Sequence, residues 1–275
     1  MAGGSKLALT FDNNSLDGWQ LGMSYNAAKP LDLSSLADNG IRCMELNWRE
    51  LDIFTPENRR TCTRIVNEAR NAGISVWSLH IPFGVEWDLS SLDAQVREAA
   101  HGKIAWVIEL ASEWGIPNAV LHPSYEPIRP EERQSRLEVC RQSLNRLTEQ
   151  VERLHLTLAI ECLPRTCLGH SSTEIRYLLE GNPALNVCCD VNHLFKESPE
   201  SFIRELGSRI VTTHISDNDG VDEKHWLPGS GVIQWPNVFR SFQETRYRGP
   251  MIFEVRNQTA EQVSACWKGL EAIDW

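Results

Sequence analysis

Seven apolar runs of the chain end in side chains that bind divalent metals or move protons. "CMELNW" carries Glu45, "SLHIPF" His80, "LHPS" His122, "IECLP" Glu161, "CDVNH" Asp190 and His193, "HISDND" His214, and "IFEV" Glu254. Carboxylates and imidazoles exchange protons near neutral pH and are the usual ligands of Zn, Mn, Mg and Co. Buried together they are costly unless paired or bound to a cation, so a ring of them calls for a divalent ion. A lone strand-end His or Glu is more often a hydrogen-bonded structural residue. Recurrence at equivalent ends of successive runs is what favours a site.

Glu161, Asp190, His214 and Glu254 together offer three carboxylates and one imidazole, a mostly oxygen set that suits Mn, Mg or Co as well as Zn. The segment after His214, "VTTHISDNDGVDEKHWLPGSGVIQW" (211–235), adds His225 and four acidic residues and reads as one wall of such a site. Its "PGSG" is common turn chemistry and does not form a strand-to-helix phosphate loop. His101 and His155 fall within or at the end of helical segments without an acidic partner at ligand spacing, and read as structural. His170 is left open.

The elements that must position these residues recur eight times. Strand-like runs lie at 19–24, 41–46, 75–81, 118–123, 156–163, 186–194, 210–216 and 250–255. The later four are nearly continuous apolar runs, as expected of parallel strands covered on both faces. Helical segments separate them. In "TPENRRTCTRIVNEARNAG", Thr55 can cap, Pro56 takes the first helical position and Gly73 stops the helix; Gly115 stops the next. With no Pro/Gly/Ser-rich linker or change of composition, residues 1–275 predict one (β/α)8 TIM barrel, with the site at the C-terminal ends of the strands.

The formal net charge is −10, with 41% hydrophobic and 23% charged residues. That balance opposes a polyanionic partner, since nonspecific nucleic-acid binding depends on cationic side chains. No apolar run approaches the roughly 20 residues of a membrane helix. The opening "MAGGSKLALTFDNN" lacks a secretory leader's long apolar region, so a cytoplasmic location is expected. Eight cysteines, two of them adjacent at 188 and 189, read as buried free thiols rather than disulfides.

In this order and combination, these motifs resemble the xylose isomerase-like TIM barrels, a group that includes sugar-phosphate isomerases and epimerases, ketose 3-epimerases and endonuclease IV. The resemblance spans essentially the whole chain. It implies one divalent metal ion (Mn, Co, Mg or Zn) on Glu161, Asp190, His214 and Glu254, with Glu161 and Glu254 also catalytic. It further implies substrate contacts from His193 and His225, and His80, His122, Glu45 and Trp226, at or beyond the same strand ends, are expected to join them. Trp48, Trp87 and Trp226 follow strands two, three and seven and suit an apolar sugar face or a structural role. Arg165, Lys224 and Arg256 are candidates for a substrate phosphate.

The activity implied is isomerisation or epimerisation of a sugar or sugar phosphate. The metal polarises the carbonyl of an open-chain sugar, and the two glutamates pass a proton through an enediolate. Dehydratase or lyase chemistry on a sugar or keto acid is the alternative on this scaffold. An endonuclease IV-like zinc phosphodiesterase is a further one, because His80, His122 and His225 match its additional zinc ligands. Against that stand Glu223, where an aspartate is expected, and the acidic balance. A noncatalytic sugar-binding protein would not need the acid–base pair. The partner expected is a small sugar, without nucleic acid or membrane; a homo-oligomer is left open.

Overall fold

The structure is a computed structural model that describes residues 16, 18–30, 32–48 and 52–273. The opening stretch read above for a leader lies outside the described residues. Eight parallel strands, β1 (Leu21–Asn26), β2 (Cys43–Asn47), β3 (Ser75–His80), β4 (Asn118–Leu121), β5 (Thr157–Glu161), β6 (Leu185–Asp190), β7 (Ile210–Ile215) and β8 (Met251–Phe253), pair in sequence order. β8 returns to β1, which closes the barrel. After them in turn come α1 (Leu33–Asp38), α2 (Pro56–Asn71), α3 (Ala94–Glu113), α4 (Arg133–Arg153), α5 (Ser172–Leu179), α6 (Pro199–Leu206), α7 (Trp235–Glu244) and α8 (Ala260–Glu271).

The helix signals act as expected. Thr55 accepts a hydrogen bond from the Asn58 amide, Pro56 opens α2, and Gly73 beyond its end takes φ 74°. Gly115 takes φ 62° beyond α3. Both are left-handed positions that disfavour a Cβ.

Burial has a period of two along the strands, and that parity selects the site. Leu158, Ile160, Val187, Cys189, Ile215 and Phe253 belong to the large core between sheet and helices. Val120, Ala159 and Cys188 form a separate small cluster that fills the barrel interior. His122, Glu161 and Asp190 each lie two residues after one of these interior residues, so they share its face and cap the interior at the strands' C-terminal ends.

Three residues expected on strands lie just beyond them. β4 stops before His122 and β8 before Glu254, although the Glu254 amide still donates to Ile215 O at 3.2 Å. His193 sits in a single 3₁₀ turn, Val191–His193. The cause is local: the Asp190 carboxylate accepts from the Asn192 amide at 2.8 Å and draws the chain out of the ladder. All eight cysteines are free, seven of them buried. Among the described residues no helix is long and apolar enough to cross a membrane.

Candidate active site

β5, β6, β7 and the end of β8 bring Glu161, Asp190, His214 and Glu254 together, with one ligand atom of each within 4.8 Å of all the others. Two donors each about 2.0–2.4 Å from a shared ion are at most about 4.8 Å apart, so the four can hold one ion. Two local features fit a cation. The Asp190 Oδ2 atom is buried without a hydrogen-bond partner. His214 Nδ1 is surrounded by carboxylate oxygens, at 3.3 Å from Glu161, 3.3 Å from Glu254 and 3.7 Å from Asp190.

Two further groups flank this centre. His80 Nε2 and His122 Nε2 approach the same Glu161 oxygen at 3.0 and 3.1 Å. On the other side, Glu223 Oε2 lies 2.8 Å from His193 Nε2 and 3.9 Å from His225 Nε2. The Nδ1 atoms of His80, His193 and His225 face backbone carbonyls of Ile81, Cys162 and Glu254 at 2.9, 3.0 and 3.1 Å. A carbonyl only accepts, so these partners assign the proton to Nδ1 and turn Nε2 toward a carboxylate. Each Nε2 then takes a second proton or shares a cation with that carboxylate.

The electrostatics agree with that reading. Burial opposes ionisation of Glu161, yet the charges of His122 and His214 hold its carboxyl well below the usual range. Burial also opposes a charged His193, but Asp190 and Glu223 raise it to about 10. Glu223, despite burial, is held down to about 2 by His193. His122 is the exception, lowered chiefly by burial.

Glu45 lines none of the three cavities at the barrel mouth. It is fully buried, with its carboxylate 3.0 Å from His214 Nε2 and accepting from Ser78 Oγ at 2.8 Å. Glu45, expected as a substrate contact, lies one layer down behind the His214 ring, the position from which carboxylates orient metal-ligating imidazoles. Glu45→Gln should weaken divalent-metal affinity about 10- to 100-fold while the chain stays folded. Calorimetric titration of the stripped protein reads this directly, and unchanged affinity would remove the orienting role.

The loop after β7 is organised by Asp217, which the sequence reading passed over. Its fully buried carboxylate accepts from the amides of Asn218, Gly229 and Ile233 and from the Trp235 indole, at 2.8–3.1 Å. The "PGSG" turn thus closes onto an acid of its own chain. A Cβ on Gly231 would fall 2.0 Å from Asn218 O and 2.4 Å from Asp217 Oδ1, so only glycine fits there. Trp226 exchanges both backbone hydrogen bonds with Asp217, and its side chain is 41% exposed. It lines none of the three cavities at the mouth. His225, next to it, is held at φ 52° with its carbonyl accepting from Arg256.

Those three cavities, of about 420, 170 and 220 Å³, share Glu254 as a common wall. His122, Glu161, His193 and His225 line the second, and His80 and Trp48 the third. Phe83 lines both of these and stacks on His122 at 4.2 Å, a contact no sequence motif announced. Trp87 is buried against Phe54 and serves packing. Arg165 is paired with Glu126, Asp222 and Glu223, and Lys224 with Asp219. His170 spans Arg165 O and Glu174, a structural role. His101 lies on α3 and His155 just past α4, both away from the site.

Closed barrel and strand-end ligand ring define the class, and residues 33–272 match the family described as xylose isomerase-like TIM barrel. The chain belongs to that family. It is 23% identical over 244 residues to L-ribulose-5-phosphate 3-epimerase UlaE of Escherichia coli K12, covering 88% of this chain and 82% of that one. An uncharacterized protein, y4fM of Sinorhizobium fredii, is 28% identical over 154 residues, 54% of this chain and half the length of that relative. The solved structure of a D-tagatose 3-epimerase-like protein superposes with a TM-score of 0.80 at 22% identity, over 91% of this chain and 96% of that one.

Proposed function

We propose that the chain is a divalent-metal-dependent sugar isomerase or epimerase, moving a proton at a carbon next to a carbonyl. The observation that carries this is the four-residue centre of Glu161, Asp190, His214 and Glu254, open through Glu254 to three cavities. Relatives that are sugar 3-epimerases support it.

The four residues would hold one Mn, Co, Mg or Zn ion, which when bound would polarise the sugar's carbonyl and acidify the neighbouring C–H. Glu254, at the rim, exchanges a proton with that carbon. Glu161 stands at the centre as the second carboxylate, and which of the two takes the proton sets the stereochemical outcome. His193 and His225 line the cavity beside Glu161 and contact the substrate's hydroxyls, while Asp190 and His214 stay ligands.

One specific observation favours a second reading, a zinc phosphodiesterase. The groups His80–His122–Glu161 and His193–Glu223–His225 also have ligand atoms at metal spacing. The formal charge of −10 disfavours a nucleic-acid substrate.

Metal content and solvent-deuterium incorporation, measured on the same preparation, test the proposal. About one ion per chain and deuterium entering a ketose at a carbon beside the carbonyl are expected. Two or three zinc ions, no exchange into any ketose and cleavage of abasic DNA would replace this reading with the second.

A further inference from the structure

We propose that the cavity over the ends of β1 and β8 binds the phosphate of an open-chain sugar phosphate through Arg256 and Lys29. This rests on the epimerase reading and specifies its substrate class. The cavity, about 420 Å³, has Glu254 and His225 in its wall, so a ligand seated there reaches the proton-transfer carboxylate.

The cations around the mouth differ in what they face. The Arg165 guanidinium lies 2.6 Å from Glu126, 2.8 Å from Asp222 and 3.3 Å from Glu223, and Lys224 Nζ lies 3.2 Å from Asp219. Their charges are spent within the protein. Arg256 and Lys29 are exposed, line this cavity, and have no carboxylate partner among the described residues. Of the three mouth cavities only this one has two such cations in its wall. An unpaired guanidinium beside an ammonium suits a phosphate dianion, through forked hydrogen bonds and a point charge respectively.

The rest of the wall fits the remainder of such a ligand. Asn47 gives Nδ2 to Ser24 Oγ at 3.0 Å, while its Oδ1 is buried without a partner and remains to accept from a sugar hydroxyl. Ala260, the first residue of the 12-residue α8, lines the same cavity, so the helix's positive end adds to the field. Barrels of this architecture frequently hold phosphate among their last loops and a helix N-terminus. Asp32, the other carboxylate in the wall besides Glu254, is engaged by the Ser34 hydroxyl and the Ser35 amide at the start of α1.

The test compares a ketopentose 5-phosphate with the same ketopentose lacking phosphate, on metal-loaded enzyme, with inorganic phosphate as inhibitor. The phosphorylated form is expected to have at least about a tenfold higher kcat/KM, and phosphate to compete with it. Arg256→Gln should lower kcat/KM for the phosphorylated form about 10- to 100-fold, mainly through KM, and shrink the preference. Lys29→Gln should do the same less strongly. Equal turnover of the two forms, with Arg256→Gln affecting both alike, would overturn the subsite and leave the epimerase reading standing. If neither form exchanges solvent deuterium, the epimerase reading fails, and calorimetry with inorganic phosphate decides the subsite alone. Binding weakened by Arg256→Gln upholds it, and absent or unchanged binding overturns it.

Discussion

Glu254→Gln should lower turnover by about 10²- to 10⁴-fold and abolish solvent-deuterium incorporation, the range lost when a general acid–base group is removed. The substitution keeps size and one carbonyl oxygen, so the barrel should remain folded. Glu254 is also one of the four candidate ligands, and its loss should weaken metal binding. The assay therefore uses saturating metal, so that the residual deficit reports proton transfer rather than occupancy. Activity above about a tenth of wild type under those conditions would reassign the proton carrier.

Asp217→Ala should cost about 3–5 kcal/mol and lower Tm by roughly 10 °C. The loss leaves three backbone amides and the Trp235 indole without their acceptor at a carboxylate that is itself fully buried. The same loop carries Glu223 and His225, so the wall of the substrate cavity should loosen together with the fold. Asp217→Asn, which keeps one acceptor oxygen, should fall between. A melting temperature within about 2 °C of wild type would show that the loop is held by its apolar contacts instead.

The strand-end ligands could be read from the chain because a parallel barrel puts the C-terminal end of every strand on one face, whatever the loops do. Glu161, Asp190 and His214 are visible for that reason. Glu45 shares their type and their face, but β2 runs on to Asn47, so the rim level on that strand belongs to Asn47 and Glu45 lies beneath it. Strand length, which propensity fixes poorly, sets Glu45 at a different level from the candidate ligands. Trp226, expected as a substrate contact, has Asp217 as its neighbour in space, across a bridge that no local pattern specifies. The pairing of Arg165 with Glu126, Asp222 and Glu223 is also long-range, set by three loops meeting. Glu223 carried a local signal, two residues before His225, yet only the folded loop sets it beside His193.

Glu254 borders three cavities whose other walls come largely from separate loops, while Glu161, Asp190 and His214 lie at or next to the ends of strands locked in the barrel ladder. If the metal and substrate roles proposed for these residues hold, reactivity and selectivity are held by different parts of the chain. On that proposal, loops carrying Lys29, Phe83 or Arg256 can be exchanged like interchangeable jaws around a fixed vice, altering which molecule is gripped without moving the atoms that work on it.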